Sequence, residues 1–109
     1  MTEKEKMLNG ESYFAYDPEL MQDHHRAKEL CQQYNQIKVS DIQEKSRLLK
    51  ELFQADYAAH IEANFFCDYG YNIKLGKNFY ANHNLIILDG APVIIGDNVM
   101  IAPNVGIYT

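Results

Sequence analysis

The chain has 109 residues, 47% of them hydrophobic and 23% charged, and a formal net charge of −5. That length makes one domain the starting expectation, and the composition is that of an ordinary globular protein. The acidic balance argues against nucleic acid as the main partner, because phosphate binding needs a basic face, and no apolar stretch approaches the roughly 20 residues of a membrane span.

Taken in chain order, the first half reads as helices. Met1 to Lys6 leads into no apolar segment, so no secretory signal is expected. Thr2-Glu3-Lys4-Glu5 fits a capping box, and Gly10 can stop the short helix it starts. Asp17-Pro18 supplies the next start, with Asp as N-cap and Pro at the first helical position. Leu20, His24, Ala27, Leu30, Cys31 and Tyr34 follow at helical spacing. Ser40-Asp41-Ile42-Gln43 is another capping-box match, ahead of an apolar stripe of Leu48, Leu49, Leu52 and Phe53. One short helix and two longer ones are therefore expected in residues 1–56. Only Cys31 and Cys67 carry thiols, too few for a disulfide framework, which points to reduced thiols in a cytoplasmic protein.

Around Tyr57 the period changes. Gly and Asn begin to punctuate the chain and β-branched residues rise. The segment from Leu75 to Ile87 lies over the segment from Ile95 to Ile107 at an offset of 20 residues. Apolar or small residues recur every six: Leu75, Ala81, Ile87 and Val93, then Ile95, Ile101 and Ile107. The step from Val93 to Ile95 is a phase shift of two, placed just after the turn chemistry of Asp89-Gly90-Ala91-Pro92. A period of six is neither strand nor helix. It suits a coil of three short flat faces, one hexapeptide each, with one residue per hexapeptide pointing to the axis. Gly76, Asn78, Asn84, Gly96, Asn98 and Asn104 fall near corners, where Gly and Asn tolerate positive φ. An antiparallel sheet with many turns would alternate with period 2 and would not explain the copied Ile-Gly-x-Asn. The fold class read from residues 57–109 is thus α+β: a helical N-terminal segment, then a parallel β-helix.

Several stretches carry a family resemblance. They are Asp68-Tyr69-Gly70-Tyr71-Asn72-Ile73, Gly76-Lys77-Asn78-Phe79-Tyr80-Ala81-Asn82 and the run from Ile95 to Val105, with Met7 to Glu11 and Arg26 to Leu30 in the helical half. Together they resemble the maltose/galactoside O-acetyltransferases over essentially the whole chain. A hexapeptide repeat by itself is a weak functional signal, because unrelated chemistries share it. Asn-Phe-Tyr-Ala-Asn with the helical preface is far more specific.

The resemblance implies a left-handed β-helix, a homotrimer with active sites between subunits, and acetyl transfer from acetyl-CoA to a sugar hydroxyl. It implies that Asn82 sits in the active site and orients the acceptor or the base. It implies that Asp68 and Asp89 accept hydrogen bonds from sugar hydroxyls, and more loosely that Asp17 does. Asp17 is also the N-cap expected above, and both roles are open to it. For Asp68 and Asp89 the plainer alternative is a β-helix corner.

In that family the general-base histidine stands in a His-Pro segment a few residues beyond the position of Thr109. The base and the later coils that form most of the acetyl-CoA site are therefore expected outside these 109 residues. The β-helix is expected to be incomplete at its C-terminal side, with fewer than about three coils and an open apolar edge. His83, the one histidine within the repeat, stands where the family usually has an aromatic residue and is a weak candidate base. His24, His25 and His60 read as surface or partly buried groups. A rival reading is a non-catalytic β-helix that only oligomerises. A metal-dependent β-helix lyase of the γ-class carbonic anhydrase kind would need histidine ligands across subunits. No pair here has convincing ligand spacing, so no metal is expected.

Overall fold

Thr2 Oγ1 accepts the Glu5 N–H at 3.0 Å while Glu5 Oε1 accepts the Thr2 N–H at 3.1 Å. This reciprocal box starts α1 (Glu3–Leu8) as the sequence leads one to expect. The computed structural model describes all 109 residues. In α2 (Pro18–Asn35) the N-cap Asp17 takes the N–H groups of Glu19 and Leu20 on one oxygen, at 3.1 and 3.4 Å. The third helix differs from expectation by one residue. In α3 (Ile42–Phe53) the cap is Asp41, which accepts from Glu44 N at 3.3 Å, and not Ser40. Asp is as good a cap as Ser and stands directly before the first helical residue.

The strands form coils. β1 (Ala59–Ile61), β2 (Phe65–Cys67) and β3 (Ile73–Leu75) make the first; β4 (Phe79–Ala81), β5 (Leu85–Leu88) and β6 (Val93–Ile95) the second. β7 (Met100–Ile101) and β8 (Gly106–Tyr108) begin a third. They stack into three parallel sheets, β1-β4-β7, β2-β5-β8 and β3-β6, with no closed barrel. Every pairing keeps the same register: Ile61 opposite Ala81 opposite Ile101, Cys67 opposite Ile87 opposite Ile107, Leu75 opposite Ile95. The repeat therefore begins one coil earlier than the sequence comparison reveals. The architecture is a helical segment followed by an incomplete left-handed parallel β-helix.

Two expectations about the repeat need correction. Strands of the first two coils turn two residues inward, not one: Phe65 and Cys67, Ile73 and Leu75, Phe79 and Ala81, Leu85 and Ile87 are all buried. A three-residue strand has two ends on one side of the pleat and one on the other, so this follows from its period of two. Among the corner residues named from the sequence, positive φ belongs to the asparagines, Asn78, Asn84, Asn98 and Asn104, at 57° to 67°, and not to Gly76 or Gly96. Gly76 is there for another reason: a Cβ on it would lie 2.4 Å from the carbonyl of Gly96 in the next coil. Asn78 Nδ2 donates to Asn98 Oδ1 at 3.0 Å and Asn84 Nδ2 to Asn104 Oδ1 at 3.1 Å, so the corners form ladders of their own. The shift of two residues has its place too. One corner of each coil is longer than the others, at residues 68–72 and again at 89–92. We call it the wide corner.

The first coil would present three bare strand edges; the helical segment covers two of them and Tyr57, just beyond it, the third. Tyr34 Oη donates to the Ile61 carbonyl at 2.6 Å. Asn35 acts as a strand would, donating to Phe65 O at 3.1 Å and accepting from Phe65 N at 2.8 Å. Tyr57 Oη donates to Ile73 O at 3.3 Å. Beneath these bonds α2, α3 and the coil interior share one core of 18 buried residues, in which Cys31 and Cys67 hold their Sγ atoms 3.8 Å apart. The third coil and the end of the second are less covered: Ile95, Val99, Ile101, Val105 and Ile107 are only partly buried.

Gly76→Ala should lower stability by about 1–3 kcal/mol, the usual cost of forcing a methyl into packed surroundings. Gly96→Ala, whose Cβ meets nothing within 4 Å, should be close to neutral by the same denaturation measurement.

Candidate functional site

The wide corner is held by a buried carboxylate. Asp89 is 0% exposed. Its Oδ1 accepts the N–H groups of Asp68 and Tyr69 at 3.0 and 2.8 Å, and its Oδ2 those of Gly70 and Asn72 at 2.8 and 3.3 Å. Asn72 Nδ2 closes the bracket on the Asp89 carbonyl at 2.8 Å. Burial pushes the Asp89 carboxyl above its ordinary value, and the backbone donors pull it part of the way back. Of the two readings open to Asp89, acceptor contact or β-helix corner, this geometry favours the corner. Its lone pairs are engaged by the preceding coil, and no face of it reaches solvent.

What Asp89 holds in place is the rim of a cleft of about 330 Å³ between the start of α2 and the wide corner. Tyr13, Tyr16, Met21, His24, Asp68 and Tyr69 line it. The Asp68 side chain is partly exposed, and His24 Nε2 stands 3.3 Å from its Oδ1. The His24 ring meets the Tyr69 ring edge-on, with centroids 5.9 Å apart. Burial pushes the Tyr69 phenol up to about 12, so it stays neutral and able to donate. Asp17 is where the sequence puts it, at the head of α2, one residue beyond Tyr16. Its carboxylate is engaged in capping.

Asn82 lies on a different edge of the β-helix, in the turn from β4 to β5. Its Oδ1 accepts the His83 N–H at 2.8 Å, which fixes the amide and leaves Nδ2 as a donor without a partner in the chain. Beside it a carboxylate joins two coils. Glu62 accepts from His60 Nε2 at 2.6 Å and lies 4.0 Å from His83 Nε2, while His83 Nδ1 bonds the Ala63 carbonyl. The His60 contact holds the Glu62 carboxyl below the usual carboxylate range. His60 stacks on Tyr80 with ring centroids 5.3 Å apart. No group of three His, Cys, Asp or Glu side chains is arranged to hold a metal ion.

The fold thus joins Asp68 to Asp89 at one corner, puts Asp17 near their cleft, and leaves Asn82 on another edge. Sequence reasoning missed His24 and the tyrosines Tyr13, Tyr16 and Tyr69. The loop before α2 has no periodic pattern to mark it, and the contact of His24 with Asp68 spans 44 positions.

A family profile described as the maltose acetyltransferase hexapeptide capping motif matches residues 6–56. The crystal structure of a maltose O-acetyltransferase from Clostridium difficile superposes with a TM-score of 0.96 at 44% identity, over 100% of this chain and 59% of that one. These 109 residues match the N-terminal part of the maltose/galactoside O-acetyltransferases. A galactoside acetyltransferase in complex with coenzyme A matches with a TM-score of 0.84 at 34% identity, over 99% of this chain and 55% of that one. Nodulation protein L of Rhizobium meliloti is 43% identical over 109 residues, which are 99% of this chain and 60% of that protein. The chain therefore spans between 55% and 60% of the length of these relatives. The matched capping motif covers the helices that close the first coil, so the family's helical preface and the edge bonds of Tyr34 and Asn35 are one feature.

Asp89→Asn should destabilise the fold by about 2–4 kcal/mol, because an amide loses charge-assisted bonds and turns its own N–H donors toward backbone donors. Asp68→Asn, partly exposed, should cost much less in the same thermal or chemical melt.

Proposed function

We propose that these 109 residues form the acceptor side of an acetyl-CoA-dependent sugar O-acetyltransferase. The observation that carries the reading is the cleft at the wide corner, where a partly exposed carboxylate, Asp68, stands among three tyrosines on a frame fixed by a buried one, Asp89. Carboxylate oxygens accept from hydroxyl groups, and aromatic faces suit the C–H faces of a sugar ring. Similarity to the N-terminal part of the family supports the acetyl donor, as does the coenzyme A held by the galactoside acetyltransferase neighbour.

In this reading the acceptor oxygen bonds to the acetyl carbonyl carbon, the C–S bond breaks, and CoA leaves as the thiol. The hydroxyl has a pKa far above 7, so a base must take its proton as it attacks. Asn82 Nδ2, fixed through its own Oδ1, orients the acceptor or that base. Asp68 binds acceptor hydroxyls, and Asp17 serves mainly as the cap that places α2 against the cleft. In the family the general base is the histidine of a His-Pro segment, and none of the four histidines in these 109 residues stands in such a segment. The resemblance implies a homotrimer with active sites between subunits, in which the Asn82 edge and the cleft can come from different copies. The second reading, a β-helix that only associates, draws on the exposed apolar residues of the third coil, Met100 and Tyr108 among them.

Release of free CoA thiol from acetyl-CoA, with maltose or a galactoside as acceptor, separates the two. The 109-residue chain alone should show none. A chimera that continues it with the remaining coils of the Clostridium difficile relative should release thiol, and Asp68→Ala or Asn82→Ala in that chimera should lower kcat/KM by about 100-fold, the scale of a lost positioning contact. A chimera that folds but stays inert, or one indifferent to both substitutions, would sink the proposal.

A further inference from the structure

We propose that His24 is a positioning residue for the acceptor: it holds Asp68 Oδ1, so that Oδ2 remains the oxygen available to sugar hydroxyls in the cleft. The inference rests on the acceptor reading of that cleft.

Asp68 is fixed at its backbone, where its N–H is bonded to Asp89 Oδ1 at 3.0 Å. Its side chain has one partner, His24 Nε2 at 3.3 Å. His24 is itself steered, because its ring lies edge-on against Tyr69, which is 5% exposed and bonded through its own N–H to the same Asp89 oxygen. The two residues come from opposite walls, His24 from α2 and Asp68 from the wide corner. The contact therefore sets the cleft's width as well as the rotamer of the carboxylate. Asp68 Oδ2 and His24 Nδ1 have no partner in the chain. A ring bearing adjacent hydroxyls can place one on each, with its C–H face toward the tyrosines. Without His24 the carboxylate must be ordered by the acceptor when it binds, and that cost appears in affinity rather than in folding.

The test is an NMR titration of the 109-residue protein with maltose and with methyl β-galactoside, following the His24 ring protons and the Asp68 and Tyr69 amides. His24→Ala should weaken binding by about fivefold, the scale of ordering one side chain, with the melting temperature little changed because the ring is partly exposed. His24→Gln, which keeps an N–H donor, should restore binding to within about twofold. Unchanged binding in His24→Ala overturns the proposal, and so does a Gln variant as weak as the Ala one; the acceptor reading survives both results. A folded wild-type protein that binds neither sugar overturns the acceptor reading and this inference with it.

Discussion

Each strand of the coiled half finds its backbone partners 20 residues away, and everything else in this molecule is fitted to that constraint. Parallel strands bonded in a constant register repeat every side chain at the same place on successive coils. Interior positions must then be apolar at every turn of the coil. The corners are set by the same rule. A residue with positive φ in one coil sits under another with positive φ, and asparagine fills both places because its amides also bond each other along the stack. Where two coils approach most closely, only glycine fits, as at Gly76.

A stack of this kind has ends, and its first end is closed by side chains rather than by another strand. Tyr34, Asn35 and Tyr57 each serve one edge of the first coil, while Phe53 meets Phe65 edge-to-face below them at 5.9 Å. An unpaired edge in water invites association with another chain. Here the helical segment, with Tyr57, removes that exposure and also supplies eight of the 18 residues of the shared core. The helices are consequently part of the β-helix in the energetic sense, although they look like a separate segment in the sequence. The same packing carries the head of α2 to the wide corner, where the cleft forms.

At that corner a structural group and a functional candidate are separated by one hydrogen bond. Asp89 gives up contact with solvent to hold four backbone N–H groups, and the corner it shapes turns Asp68 outward. The two carboxylates belong to successive coils at nearly equivalent positions, and burial alone divides their roles. A carboxylate surrounded by backbone donors braces; one that keeps a free oxygen can bind.

The sequence by itself determined the repeat, its 20-residue offset, the place of its longer corner, two of the three helix caps, and the family whose N-terminal part it matches. These follow from local chemistry: the period of apolar residues, the preferences of Asn, Gly, Pro and Asp, and a motif read in order along the chain. Only the tertiary structure decided which of Asp68 and Asp89 is buried, that Asn82 lies on another edge from them, and that His24 meets Asp68. These depend on contacts between residues 17 to 44 positions apart. A one-dimensional pattern cannot tell an acid that points into a corner from one that points out of it, because both satisfy the same turn. Burial and pairing across the stack make that distinction.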